Sequence, residues 1–303
     1  MEYILETKEL TKRFGKEEAV SKLDMKIKKG EIYGFLGPNG AGKTTTIRIL
    51  LGLMKPTSGS IRIFQENLDT ERISILKRVG SLVENPSYYP HLTAYENLEA
   101  SRKILEVPKA RIQEVLNIVG LSDVTNKKVK GFSLGMKQRL GIANSLMNNP
   151  ELLILDEPTN GLDPSGIIEI RNLINRLANE AGITILISSH LLSEVDQLAT
   201  TVGIINKGKL IFQDSIDVMR RYAQQSISIK VNDSEKARNM LFSNGIKTNY
   251  ENGRILLPEL ADMEIAEAIR ILVESGVSIY RVEEEKRSLE EIFLQMTREE
   301  EDD

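Results

Sequence analysis

The chain contains no cysteine and only two histidines, His91 and His190, among its 303 residues. The first absence excludes a disulfide framework, cysteine-ligated zinc and thiol catalysis, and it suits a reducing compartment. The second excludes a histidine-rich metal site. Long apolar runs are missing as well: Leu152 to Leu155 is representative, far short of the ~20 residues that cross a bilayer. The N-terminal stretch Met1 to Leu10 interleaves Glu2, Glu6, Lys8 and Glu9 with apolar residues, so no signal-peptide core is expected there. No internal repeat and no low-complexity linker is evident. The expectation is a cytoplasmic chain with no direct membrane insertion.

A uniform basic charge is also absent. Forty basic and 44 acidic residues leave a net −4, and residues 1 to 213 are +4 while residues 214 to 303 are −8. That balance disfavours a nucleic-acid binder, and the closing run Arg298, Glu299, Glu300, Glu301, Asp302, Asp303 would repel phosphate or anionic lipid. At roughly 150 residues per domain, the length allows one large or two modest domains with a buried core.

What is present is an alternation. Apolar runs of strand length, including Ile32 to Leu36, Leu152 to Leu155 and Thr184 to Ser188, alternate with helix-period segments up to about residue 213. This is the pattern of an α/β domain with a mostly parallel sheet covered by helices. Beyond Gln213 the texture changes. Short strands are expected at Ile227 to Val231, Ile255 to Pro258 and Val277 to Val282, with helices around Ser234 to Ser243, Ala261 to Glu274 and Ser288 to Thr297. That order predicts a small α+β domain at 214–303, with a ferredoxin-like build as the candidate topology.

The strongest local signal is Gly37-Pro38-Asn39-Gly40-Ala41-Gly42-Lys43-Thr44, which follows an apolar strand and opens an apolar-periodic helix. This is the Walker A pattern in its proper context. Its glycines let backbone N–H groups curl around phosphate oxygens, and the following helix adds its positive dipole end. Lys43 is assigned to the β and γ phosphates, Thr44 to Mg²⁺, and Thr45 to the α phosphate or backbone. The spacing is not Gly-x-Gly-x-x-Gly, which disfavours a dinucleotide site. Leu152-Leu153-Ile154-Leu155-Asp156-Glu157 reads as a buried strand delivering two carboxylates to the sheet's ligand crevice, as Walker B does. Asp156 would hold Mg²⁺, and Glu157 would orient the attacking water and accept its proton.

Between and beyond these lie Phe132-Ser133-Leu134-Gly135-Met136-Lys137-Gln138-Arg139-Leu140, Asn160-Gly161-Leu162-Asp163 and Ser188-Ser189-His190. In this order and spacing the chain resembles the ATP-binding subunit of an ATP-binding-cassette (ABC) transporter over about residues 1 to 213. The resemblance implies a P-loop cassette with a helical subdomain at about 85–150, which uses ATP and Mg²⁺ and hydrolyses ATP. It implies that Phe14 stacks on adenine, although a lone phenylalanine is more often core. It places Ser133 and Gly135 in the signature loop facing a γ-phosphate, Asp163 in the loop that couples two sites, and His190 on the γ-phosphate or the attacking water. His91 matches no motif and reads as a loop residue.

In this family the signature loop of one subunit completes the phosphate site of another. One set of motifs therefore implies a closed ATP sandwich made with a second copy of the chain. Separate transmembrane permease subunits would follow its motion, and the chain would sit at the inner face of the cell membrane through them. The 84–130 segment would meet that partner.

Three departures from the family pattern carry information. Glu84 stands where glutamine is usual, and is still able to reach Mg²⁺ through an oxygen. The signature keeps only its serine and second glycine, and Asn160-Gly161 replaces the commoner Ser-Ala. These bear on turnover rate more than on ATP binding. Glu84 also resembles the immunity subunits that help export lantibiotics, and 84–98 looks like bacitracin-resistance ATPases. Export of a membrane-active peptide antibiotic, for self-protection, is the resulting expectation. The alternatives are export of a drug or another substrate, a soluble cassette protein acting on ribosomes or DNA, and a nucleotide-gated regulator without turnover. A single cassette, no long heptad arm and an acidic C-terminus weigh against the ribosome or DNA reading. For the C-terminal domain the expectation is a folding unit with a dimer-clasp or regulatory role.

Overall fold

The computed structural model describes residues 2–83, 88–222, 225–251, 253–257, 262–286 and 293. Glu84 lies outside the described residues, as does the helix expected over 288–297 apart from residue 293. The chain divides into two compact units, Met1–Ile216 and Asp217–Asp303.

In the first unit, β1 (Tyr3–Phe14) pairs antiparallel with β2 (Glu17–Leu23) and with β3 (Lys26–Lys28). Next come β4 (Ile32–Leu36), a glycine-rich loop and α1 (Lys43–Leu50). Then β5 (Ser58–Ile63) returns antiparallel to β1 and pairs with β6 (Glu66–Asn67). The result is a five-stranded antiparallel sheet that the sequence reading did not foresee. Its strands mix charged and apolar residues because only one face is buried. Leu5, Leu10, Leu23, Ile27 and Ile63 form that face.

The chain continues through α2 (Arg72–Leu76), β7 (Val79–Leu82), α3 (Ala94–Leu105), α4 (Ala110–Ile118) and α5 (Leu134–Ser145). It then runs through β8 (Leu152–Asp156), α6 (Pro164–Asn179), β9 (Thr184–Ser189), α7 (Leu192–Asp196), β10 (Thr201–Asn206) and β11 (Lys209–Ser215). The second sheet has the order β11-β10-β4-β9-β8-β7 and is parallel except for β11. Both of its faces are covered at the centre, so β4, β8, β9 and β10 are nearly continuous buried runs. In β8, Leu152 and Ile154 pack with Ile47 and Leu50 of α1, while Leu153 and Leu155 pack with Leu140 of α5 and Leu173 of α6. Helix α3 starts in a capping box, the Thr93 hydroxyl accepting from Glu96 N–H and the Glu96 carboxylate from Thr93 N–H. Helix α5 begins at Leu134 because Ser133 caps it.

Helix α8 (Ile216–Tyr222) leads on to β12 (Gln225–Val231), α9 (Ser234–Ser243), β13 (Asn249–Glu251), β14 (Arg254–Leu257), α10 (Asp262–Glu274) and β15 (Ile279–Lys286). The four strands, in the order β13-β14-β12-β15 and all antiparallel, with one helix after β12 and one after β14, make a ferredoxin-like βαββαβ unit. Ile229, Val231 and Ile255 of the sheet bury against Leu241 of α9 and Leu272 of α10, a core belonging to this unit. The observed fold is thus an α/β cassette with a mostly parallel sheet, followed by a small α+β unit.

Candidate active site

The loop between β4 and α1 is shaped by glycine where no other residue fits. Gly42 has φ 107°, and a Cβ on it would lie 2.4 Å from the Ala19 carbonyl oxygen; one on Gly37 would lie 2.4 Å from that of Ile205. Gly42 is also the N-cap of α1 and brings no side chain to cap it. The first-turn amides of α1 are therefore left to a ligand, and the helix dipole favours an anion. Gly37, Pro38, Asn39, Gly40 and Ala41 complete the curl, with Ala41 N–H bonded to the Pro38 carbonyl at 3.2 Å.

Lys43, 6% exposed, folds back over this loop. Its Nζ donates to the carbonyls of Gly37 at 2.6 Å and Pro38 at 3.3 Å and lies 3.4 Å from Glu157 Oε1. Thr44 Oγ1 donates to Asp156 Oδ2 at 3.0 Å. Thr45 follows on the same first turn, partly buried. At the end of β8, the Asp156 carboxylate thus reaches the helix that opens the phosphate loop. Glu157, the next residue, adopts a left-handed backbone with φ 48°, uncommon for a residue with a Cβ. Its Oε2 contacts His190 Nδ1 at 2.6 Å. One carboxylate therefore lies between an ammonium and an imidazole, which is an arrangement for holding a water and taking its proton.

Ser188 holds this arrangement in place, and sequence reasoning missed it. Fully buried at the end of β9, its hydroxyl donates to Asp156 Oδ1 and accepts from the Glu157 N–H at 2.9 Å. The same hydroxyl fixes both carboxylates and the unusual backbone between them. The available signal was polarity in an otherwise apolar strand end.

The ABC transporter family model matches residues 20–160, across the phosphate loop and both carboxylates, and a model for the C-terminal domain of DrrA1-3-like ATP-binding proteins matches 215–297. The bacitracin transport ATP-binding protein BcrA of Bacillus licheniformis is 47% identical over 98% of both chains. This chain belongs to the ATP-binding subunits of ABC transporters. It is an ATPase whose hydrolysis is coupled to transport. The lantibiotic transport ATP-binding protein SrtF of Streptococcus pyogenes is 49% identical over 71% of this chain and 92% of its own. Among solved structures, cbiO1 of Clostridium perfringens, part of the ABC transporter complex cbiONQ, has a TM-score of 0.67 at 28% identity over 80% of this chain and 96% of its own. A dimeric ATP-binding cassette in a post-hydrolysis state, bound to ADP and Pi, has 0.63 at 27% identity over 70% of this chain and 98% of its own.

The remaining predicted residues of the ABC cassette sit apart from this cluster. Ser133 Oγ accepts from Met136 N–H at 3.2 Å at the start of α5, and Asp163 Oδ1 accepts from Gly166 N–H at 3.2 Å at the start of α6. Asp163 also accepts from Ser165 Oγ at 2.7 Å, and these bonds, that from Ser165 first, lower its pKa below the usual 3.8. The two loops touch: a Cβ on Gly135 would lie 3.9 Å from Leu162 Cδ2, and one on Gly161 would lie 3.3 Å from Leu134 Cδ2. Phe14, at the end of β1, keeps 48% of its surface exposed, with Lys12 Nζ 5.2 Å from the ring centroid. Among the described residues no three of His, Cys, Asp and Glu gather as a metal cluster, and no helix is long and apolar enough to cross a membrane.

Proposed function

We propose that this subunit drives export of a membrane-active peptide antibiotic of the bacitracin or lantibiotic kind, protecting the cell that makes or meets it. The observation that carries the chemistry is Glu157 held between Lys43 and His190. The relatives named for bacitracin and lantibiotic transport, one of them alike over nearly the whole of both chains, support the cargo class.

In this reading the Gly37–Gly42 amides and Lys43 take the β and γ phosphates, Thr45 supports the α phosphate, and Phe14 covers the adenine. The Thr44 hydroxyl and an Asp156 oxygen are hard donors 3.0 Å apart, which fits Mg²⁺, an ion bound through one or two carboxylates plus substrate phosphates. They would hold it with Glu84, and the ion would neutralise phosphate charge. Glu157 orients a water and takes its proton as the water oxygen bonds to the γ-phosphorus and the bond to the β-phosphate oxygen breaks. His190 holds the water or the γ-phosphate from the other side. The Ser133 and Gly135 amides and hydroxyl, at the N-terminus of α5, face the γ-phosphate of a second copy, and Asp163 couples the two sites.

Transport needs a membrane-spanning partner, since no described helix can cross a bilayer. A groove of about 440 Å³, apolar at Leu53, Val83, Tyr89 and Ile104 and polar at Asn97 and Asn144, with Leu53, Tyr89 and Ile104 largely exposed, offers an amphipathic seat for a permease helix. Seated there, the subunit lies at the inner face of the membrane. The second unit acts as a dimer clasp or regulator.

The test is drug sensitivity. Cells lacking this chain become more sensitive to bacitracin or to a lantibiotic. Wild-type chain restores resistance, and Glu157→Gln does not. Unchanged sensitivity to both would refute the cargo class.

A further inference from the structure

Two loops deliver the reacting side chains: residues 157–163 after β8 carry Glu157, and residues 190–191, directly after Ser189 at the end of β9, carry His190. One buried side chain joins them. Glu194 in α7 is 9% exposed, and its Oε2 accepts from Thr159 Oγ1 at 2.7 Å and from Ser189 Oγ at 2.9 Å. Thr159 lies two residues after Glu157, and Ser189 immediately precedes His190. A single carboxylate oxygen is thus the common anchor of both loops.

The anchor is itself fixed. Val195 of α7 packs so closely on β4 that a Cβ on Gly34 would lie 2.3 Å from Val195 Cγ1. Ser189 is tied further by Leu191 N–H to its hydroxyl at 3.0 Å and by Gly37 N–H to its carbonyl at 3.3 Å, so the same strand end touches the phosphate loop. A buried carboxylate with hydroxyl partners is a costly choice for packing alone. A leucine would fill the space beside Leu192 and Val195, which are buried in the same helix. The distinctive contribution of Glu194 is the pair of hydrogen bonds.

We propose that Glu194 is a positioning residue that keeps Glu157 and His190 in register, acting through Thr159 and Ser189. This rests on the assignment of Glu157 and His190 to the hydrolysis step. Contact at 2.6 Å between Glu157 Oε2 and His190 Nδ1 then depends on a hydrogen-bonded clamp of three buried side chains, Thr159, Ser189 and Glu194.

The full-length chain is compared with Glu194→Leu, Glu194→Gln, Thr159→Val and Glu157→Gln by steady-state ATPase, equilibrium binding of a fluorescent ATP analogue and thermal melting. Glu194→Leu lowers kcat by about ten- to a hundredfold, the scale of an ångström-level misplacement, with KM and analogue affinity within about threefold. Glu194→Gln recovers most of the rate, because its amide oxygen accepts both hydroxyls. Thr159→Val, which removes only one bond, loses about three- to tenfold and remains informative if the leucine variant does not fold. A folded Glu194→Leu or Thr159→Val with kcat within about twofold of wild type, or a loss that follows analogue affinity rather than kcat, overturns the proposal. If Glu157→Gln turns over like wild type, it is the assignment of Glu157 that fails.

Discussion

The predicted site residues fall into two groups that the molecule treats differently. Lys43, Thr44, Asp156, Glu157 and His190 bond to one another across the ends of β4, β8 and β9. Ser133 and Asp163 spend their oxygens on the first turns of their own helices. The first group is a centre assembled within one chain, its charges paired before any phosphate arrives. The second is a set of helix starts, stable without the centre, whose value for hydrolysis depends on what approaches them. A sequence motif therefore has two physical meanings here: an internal network in one case, a presented surface in the other.

The contrast can be tested most severely at Lys43. Replacing it by alanine removes the cation from a mostly buried carboxylate as well as from the phosphates. ATP-analogue affinity and turnover are each expected to fall by ~10²-fold or more, the scale of losing one charge-stabilising donor to the phosphates. Affinity within about threefold of wild type would show that the first group is not a binding centre.

At Ser188, alanine leaves the Glu157 N–H without its buried partner, a loss of about 1–3 kcal/mol. Turnover should drop about tenfold or more while analogue affinity holds, since the hydroxyl positions carboxylates rather than phosphates. Equal losses of rate and affinity would merge the two roles.

Ser133→Ala sharpens the other side. As a helix cap alone it costs ~1 kcal/mol in thermal or denaturant unfolding. If the loop faces the nucleotide of a second copy, ATP-dependent dimerisation, read by light scattering with the Glu157→Gln background, weakens by more than that. A loss confined to melting would leave Ser133 a cap.

The smallest effect belongs to Asp163. Its pKa is depressed by the Ser165 hydroxyl and the Gly166 N–H, so its stabilisation is present above the unfolded value near 3.8 and is lost as pH falls through the lower folded value. The melting difference between wild type and Asp163→Asn should therefore shrink as pH falls below that range. A difference independent of pH would separate the cap from the charge.

How much of this was legible in the residues follows from how each feature is encoded. Strands β4, β8 and β9 are buried on both faces, so an apolar run followed by a functional residue marks strand and site together. The antiparallel sheet was invisible because β1 pairs with β3 and β5 over long sequence separations, and its one long pairing of short range, β1–β2, is irregular. The β1–β2 register slips between Leu10 and Lys12 and again between Lys12 and Arg13, and no alternation survives such bulges. The ferredoxin-like unit was readable as an element order, and its strand order came from the structure. Ser188 and Glu194 were overlooked although each stood in plain view, one a hydroxyl at the end of an apolar strand and the other a carboxylate among the buried positions of α7. Polar residues at buried positions near a motif were the signal, and their partners, 32 and 35 residues away in sequence, were what the sequence withheld.

Gly34 has a consequence at organism level. It lies on β4, away from the phosphate loop, yet its missing side chain sets how closely α7 seats on the sheet. An alanine there wedges the seat apart by a methyl group while leaving every nucleotide contact chemically intact. Such a lesion is the kind that yields a heat-sensitive allele: a strain whose transporter works in the cool and fails on warming, with no change in the phosphate loop itself.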